Sequence, residues 1–201
     1  MSVLPAWPAA AASLVVAVSD DGGKPVEDAV IELAAEKPAV TSHVPAEASI
    51  DQRREMFTSL VSLVRKGGHI VFFNHDTTMH QVYSFSAVKQ FQFEIRQGQH
   101  SDPVTFDKPG VAAVGCNIHD QMITYVYVSE APYAALSGPS GQAKFEDLPP
   151  GTYEARIWHP RLRSGEQPAP HRITIARSDA SDSFSLRLVP PARRGMHMGS
   201  Y

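Results

Sequence analysis

A thiol, an imidazole and a thioether share one short stretch of this chain, Gly115-Cys116-Asn117-Ile118-His119-Asp120-Gln121-Met122, placed where one apolar run ends and another begins. The spacing C-x2-H-x2-M gathers two sulfur donors and one nitrogen donor. Such a soft set selects copper, and one Cys with two His in a trigonal arrangement plus a weak axial Met makes an electron-transfer copper site. The stretch supplies three of those four groups. One loop cannot enclose an ion alone, so the second imidazole must come from a distant residue. His80, which closes Phe72-Phe73-Asn74-His75-Asp76-Thr77-Thr78-Met79-His80 and opens another apolar run, is the candidate. His75 competes with it, but alternation along a strand and the position of Asn74 favour His80 as the inward group.

Each of these residues also has a plainer reading. A lone cysteine is usually a small buried hydrophobe, and methionine usually fills irregular gaps in a core. Cys116 is the single cysteine, so it has no internal disulfide partner. The ligand reading is preferred because His and Met follow it at ligand spacing and Asn74-x5-His80 stands upstream. A catalytic thiol would need an activating imidazole and an oxyanion hole, and nothing in the sequence suggests the hole. Met122 is an axial candidate only through its partners. His43, His69, His100 and His171 lie beside Gly, Pro or polar residues and read as surface groups, while His159 in Trp158-His159-Pro160 reads as packing and turn chemistry. Met196-His197-Met198 carries soft donors, but a terminal segment of this kind, 190–201, is expected to be disordered, as is 1–12.

The elements that must hold these groups are strands. Sixteen prolines and thirteen glycines punctuate short runs rich in Val, Ile, Phe, Tyr and Thr, the pattern of an all-β chain. Strand signals fall at Leu14 to Val18, Ala29 to Leu33, Phe57 to Val64, His69 to Phe73, Gln81 to Phe85, Gln90 to Ile95, Pro103 to Phe106, Val111 to Gly115 and Ile123 to Val128. They continue at Ala143 to Phe145, Tyr153 to Trp158, Arg172 to Ile175 and Phe184 to Leu188. Leu14 to Val18 and Ala29 to Leu33 flank a turn-rich connection, which fits a hairpin or a sandwich corner. Between Ile50 and Val64, Met56, Phe57, Leu60, Val61 and Val64 also fall at helical spacing, so a short helix competes there. Pro38 to Ser49 and Ala131 to Ser140 read as linkers. Tyr83, Phe85, Tyr125 and Tyr127 alternate as core residues of strands.

Composition narrows the function. In 201 residues, 43% are hydrophobic and 19% charged, which suits a folded globular chain rather than a disordered one. Eighteen Lys and Arg against 21 Asp and Glu give a net charge of −3, leaving no electrostatic footprint for nucleic acid. No apolar run reaches the ~18–20 residues of a spanning helix, so no membrane span is expected. The opening MSVLPAWPAAAASLVV has the small-residue look of a signal cleavage region, without a positive charge before it and with two prolines inside it; it is read as a remnant that by itself leaves the compartment open, and the expected location is periplasmic or otherwise exported.

Asn74-x5-His80 followed by Cys116-x2-His119-x2-Met122 resembles the copper-site motifs of plastocyanin-like and amicyanin-like cupredoxins. A wider resemblance, to proteins of the methylamine-utilisation type, rests on Ile50-Asp51-Gln52, Phe73-Asn74-His75-Asp76, His80 to Ser86, Gly115 to Met122 and Trp158-His159-Pro160, and covers roughly residues 50 to 160. That family usually carries a second histidine just before the ligand, where this chain has Met79. The flanks, Val16-Ala17-Val18 with Gly23 to Val30, then Gly138 to Phe145 and Leu148 to Tyr153, resemble a carboxypeptidase-regulatory-like, transthyretin-type sandwich.

The resemblances imply a cupredoxin Greek-key β-sandwich over 46–132, inserted into a smaller Ig/transthyretin-like β-sandwich made of 13–36 and 134–189. They imply copper as cofactor, held by His80, Cys116, His119 and Met122. Asn117 would donate its backbone N–H to the sulfur, and Asn74 would tie the His80 loop to the Cys116 loop. The expected function is one-electron transfer with a redox partner protein, with copper sensing, delivery or storage as the alternative. No enzyme is expected, because oxidases and nitrite reductases need a second copper held by more histidines than this chain gathers. A structural module with an incidental Cys-His-Met string is the remaining class; oligomeric state is left open.

Overall fold

The computed structural model describes residues 12–35, 42–118, 121–163, 165–176 and 178–190. Among them every regular element is a strand: β1 (Ala12–Asp20), β2 (Val30–Ala35), β3 (Glu47–Arg53), β4 (Met56–Phe57), β5 (Val61–Arg65), β6 (Gly68–Asn74), β7 (His80–Ser86), β8 (Lys89–Ile95), β9 (Val104–Phe106), β10 (Gly110–Cys116), β11 (Ile123–Ser129), β12 (Tyr133–Leu136), β13 (Gln142–Leu148), β14 (Gly151–Trp158), β15 (His171–Ile175) and β16 (Ala180–Leu186). The all-β expectation holds over these residues. No helix among them is long and apolar enough to cross a membrane. The expected tails, 1–12 and 190–201 with Met196-His197-Met198, lie almost wholly outside the described residues.

The chain divides into two units. The first takes the described residues of 12–44, 129–159 and 166–186. Its two sheets run β13-β1-β16 and β12-β2-β14-β15. β1 pairs antiparallel with β13 and parallel with β16, from Leu14↔Ala180 to Asp20↔Leu186. β1 and β2 belong to different sheets, so the connection between them is a corner, not a hairpin. Alternation does the sorting: Leu14, Val16 and Val18 of β1 are buried, as are Ile31 and Leu33 of β2. The expected linker after Ala131 contains β12, an edge strand on β2. Its four residues, Tyr133-Ala134-Ala135-Leu136, are too few to show a period.

The second unit takes 45–128 with the described residues of 160–165 and 187–190. Its sheets run β5-β11-β10-β7-β8 and β4-β3-β6-β9. Ile50, Ile70 and Phe72 from one sheet and Val82, Ile95, Ala112, Val114, Val126 and Val128 from the other form its core, together with Phe106 and the two sulfur residues Cys116 and Met122.

Two expectations fail here. The helical spacing at Ile50 to Val64 is not used: Arg54 and Glu55 both take positive φ, 54° and 58°, and turn the chain so that β4 folds back on β3. A helix would bury Met56 beside Phe57, whereas Met56 is 38% exposed and Phe57 buried. The aromatic alternation at Tyr83, Phe85, Tyr125 and Tyr127 marks the outer face. Phe85 is 71% exposed, while His80, Val82 and Ser84 point inward. Period two finds the faces of a strand but does not name the inner one.

Candidate metal centre

Three adjacent strands, β11, β10 and β7, bring the candidate donors to one end of one face. The β10–β11 ladder ends at Gly115↔Ile123, so the next pair is Cys116 opposite Met122. A hydrogen bond from Cys116 N–H to the Met122 carbonyl, 3.3 Å, closes that pair. Val114 and Ala112 before Cys116, and Thr124 and Val126 after Met122, are buried, so both sulfurs fall on the inner face. On the other side of β10, Cys116 stands opposite Val82 of β7. His80 is two residues from Val82, on the same face and diagonal to Cys116, a separation that a long side chain can span. It does so: the Cys116 Sγ lies 3.5 Å from His80 Nδ1. His80 is fully buried and Cys116 and Met122 are each 3% exposed.

The far side of the His80 ring faces a carboxylate. Nε2 lies 2.8 Å from Asp76 Oδ2. Asp76 Oδ1 accepts from the N–H of Arg54, and Oδ2 also accepts from the N–H of Glu55 at 3.0 Å. Burial works against a charge on Asp76, but the hydrogen bonds from His80, Glu55 and Arg54 and the attraction of His80 outweigh it and hold its carboxyl below the ordinary range. An ionised carboxylate only accepts hydrogen bonds. His80 therefore donates from Nε2, and in its neutral form presents the Nδ1 lone pair to the sulfur.

Asn74 holds the loop that carries Asp76. Its buried amide donates to the carbonyls of Thr78 and Ile95, both at 2.8 Å, and its Oδ1 accepts from the Asp76 N–H at 2.8 Å. The expected tie from Asn74 to the Cys116 loop is not made, because the side chain is spent on its own loop and on β8. Asn117 makes a tie of that kind instead. Its backbone N–H donates to the Gln81 carbonyl, 2.9 Å, and its Nδ2 to Gln81 Oε1, 2.8 Å. That same bond to Gln81 replaces the expected one to sulfur, since Asn117 continues the β10–β7 ladder past Cys116.

His119 lies outside the described residues, so the structure brings together His80, Cys116 and Met122 of the expected set. Among the described residues no group of three His, Cys, Asp or Glu side chains is gathered as a metal cage. His75 is exposed, with Nδ1 3.2 Å from Asp51 Oδ1. His159 is buried in the other unit. The residue that sequence reasoning missed is Asp76, although Phe73-Asn74-His75-Asp76 had been singled out. The signal was a carboxylate four residues before a ligand-type histidine, the spacing at which a tight loop can return one to the other.

The donors fit a soft metal ion: a buried thiol, an imidazole nitrogen aimed at it with its other nitrogen anchored, and a buried thioether across the hairpin. No protein-family model matches the chain, and no curated protein matches it. Among solved structures it is similar to a purple cupredoxin from Nitrosopumilus maritimus, 19% identical, covering 41% of this chain and 99% of that one with a TM-score of 0.36. It is also similar to amicyanin from Paracoccus versutus, 15% identical, covering 49% and 98% with a TM-score of 0.38. With scores this low, the reading of the site rests on its own geometry.

Proposed function

We propose that the unit spanning 45–128 binds one copper ion through His80, Cys116, His119 and Met122 and carries single electrons to and from a redox partner protein. The observation behind this is the 3.5 Å approach of His80 Nδ1 to Cys116 Sγ in a buried site with Met122 on the next rung. When bound, the metal supplies a one-electron couple. The chain supplies the rest. Cys116 gives an anionic sulfur, His80 a nitrogen whose lone pair is already directed, and Met122 a weak thioether donor that tunes potential. Cys116 and His80 sit in paired strands and Met122 at the foot of a third, which suits a site whose donors must keep their places in both charge states. The proposal carries with it an exported compartment and an inserted arrangement, with 46–132 as the copper domain inside a transthyretin-type sandwich of 13–36 and 134–189.

A thiol enzyme is the second reading, because Cys116, His80 and Asp76 line up as nucleophile, base and orienting carboxylate. Burial argues against it: a substrate has to reach Sγ, and Cys116 is 3% exposed with His80 fully covered.

Adding Cu(II) to the purified protein tests the proposal. One equivalent should produce an intense visible sulfur-to-copper charge-transfer band that Cys116→Ser abolishes. A band that survives in the serine variant overturns the ligand set. A band with no electron exchange with small outer-sphere oxidants points to storage or delivery. Rapid alkylation of Cys116 with turnover of activated esters, and no band, points to the enzyme.

A further inference from the structure

We infer that Asp76 is a positioning residue for the metal centre, fixing the ring and the tautomer of His80, and that the Arg54–Glu55 turn in β3–β4 is the part of the fold that fixes Asp76. This rests on the reading of His80 as a ligand. The carboxylate accepts from three donors, the N–H groups of Arg54 and Glu55 and Nε2–H of His80. A fourth hydrogen bond, from the Asp76 N–H to Asn74 Oδ1, holds its backbone. The two turn residues take positive φ, an uncommon conformation for residues with a Cβ. Their two successive N–H groups converge on one carboxylate, which is then oriented from outside the His80 loop. With Nε2 bonded to Asp76 on one side, the ring presents Nδ1 to Cys116 on the other. A side chain placed this way raises ligand basicity and removes the cost of orienting the ring when metal enters, and losing such a partner typically weakens metal affinity about 10–100-fold.

Asparagine cannot replace the carboxylate. One of its two terminal atoms is an NH2 group, which would face an N–H donor from either the turn or the ring. Asp76→Asn should therefore loosen His80 even though its size is unchanged.

The test uses the full chain, metal-free and reduced, with 15N-labelled histidine. Wild-type His80 should show a protonated Nε2 and a lone-pair Nδ1 in its nitrogen shifts; the opposite tautomer overturns the inference without any variant. Asp76→Asn should mix the tautomers and lower copper affinity about 10–100-fold. Asp182→Asn, which removes an equal charge beside His171 in the other unit, should change neither. An Asp76→Asn protein with wild-type shifts and affinity within about twofold of wild type overturns the inference. If the wild type itself gives no copper band, the metal reading fails while the tautomer measurement still decides the role of Asp76.

Discussion

Cys116 and Met122 face one another across the first rung of a β-hairpin, joined by a 3.3 Å hydrogen bond from the cysteine N–H to the methionine carbonyl. Their separation is set by the ladder, so a change in the Met122 side chain should alter the site without moving Cys116. Met122→Leu conserves apolar volume and should keep both the fold and the copper band. It should raise the reduction potential, because losing a weak axial donor favours the reduced ion. Voltammetry reads this directly; an unchanged potential would make Met122 a core residue only.

Asn74→Ala should destabilise the second unit by about 1–3 kcal/mol, since it leaves the buried Ile95 carbonyl without its donor and also removes the bonds to the Thr78 carbonyl and the Asp76 N–H. Asn74→Asp should be no better, because a carboxylate can take the Asp76 N–H but offers nothing to two carbonyl oxygens. Urea denaturation followed by tryptophan-independent far-UV dichroism measures both.

Asp28 sets a pH dependence in the first unit. Burial, with repulsion from Glu27, pushes its pKa up to about 6. Its charged form is disfavoured on folding, so the penalty is absent below the unfolded value, grows as pH rises through about 6, and is complete above that. Asp28→Asn removes the charge and tolerates the positive φ of 62° at this position. It should stabilise the protein at pH 7.5 by about 1 kcal/mol, a figure reduced because the group is only partly buried, and by nothing near pH 3.5. Paired denaturation curves at the two pH values check the difference.

Gly141 has φ of 72°, and a Cβ there would stand 2.5 Å from the Val18 carbonyl oxygen. That carbonyl belongs to β1, whose Val18 N–H donates to the Gly141 carbonyl at 2.7 Å. Gly141→Ala should cost roughly 3 kcal/mol through backbone strain and the displaced strand. The copper band per folded molecule should not change, because Gly141 and Val18 both lie in the first unit.

Period-two alternation made most strands readable, as in β6, where Gly68-His69-Ile70-Val71-Phe72-Phe73-Asn74 alternates buried and half-buried residues without a break. The two sulfur residues were legible for the same reason, since both stand at the edges of clear strands. Asp76 was not. Its role depends on Arg54 and Glu55, more than twenty positions earlier, and a two-residue turn made of charged side chains looks like a stretch of solvated helix until the strands on either side have paired. The aromatic residues misled for a different reason. Both faces of β7 carry bulky groups, and the burial of His80, Val82 and Ser84 reveals which face is covered.

The parallel pairing of β1 with β16 carries a consequence for synthesis. On a ribosome, β1 emerges before the strands of the 45–128 unit and its partner β16 after them. The second unit can complete its ladders before β13 through β16 are made, so over that interval β1, with Leu14, Val16 and Val18, should lack both of its paired strands. Vectorial folding is therefore expected to start in the middle of the chain and finish with its two flanks. Arrest of translation after residue 165 should yield a nascent chain whose central unit resists protease while β1 is cleaved.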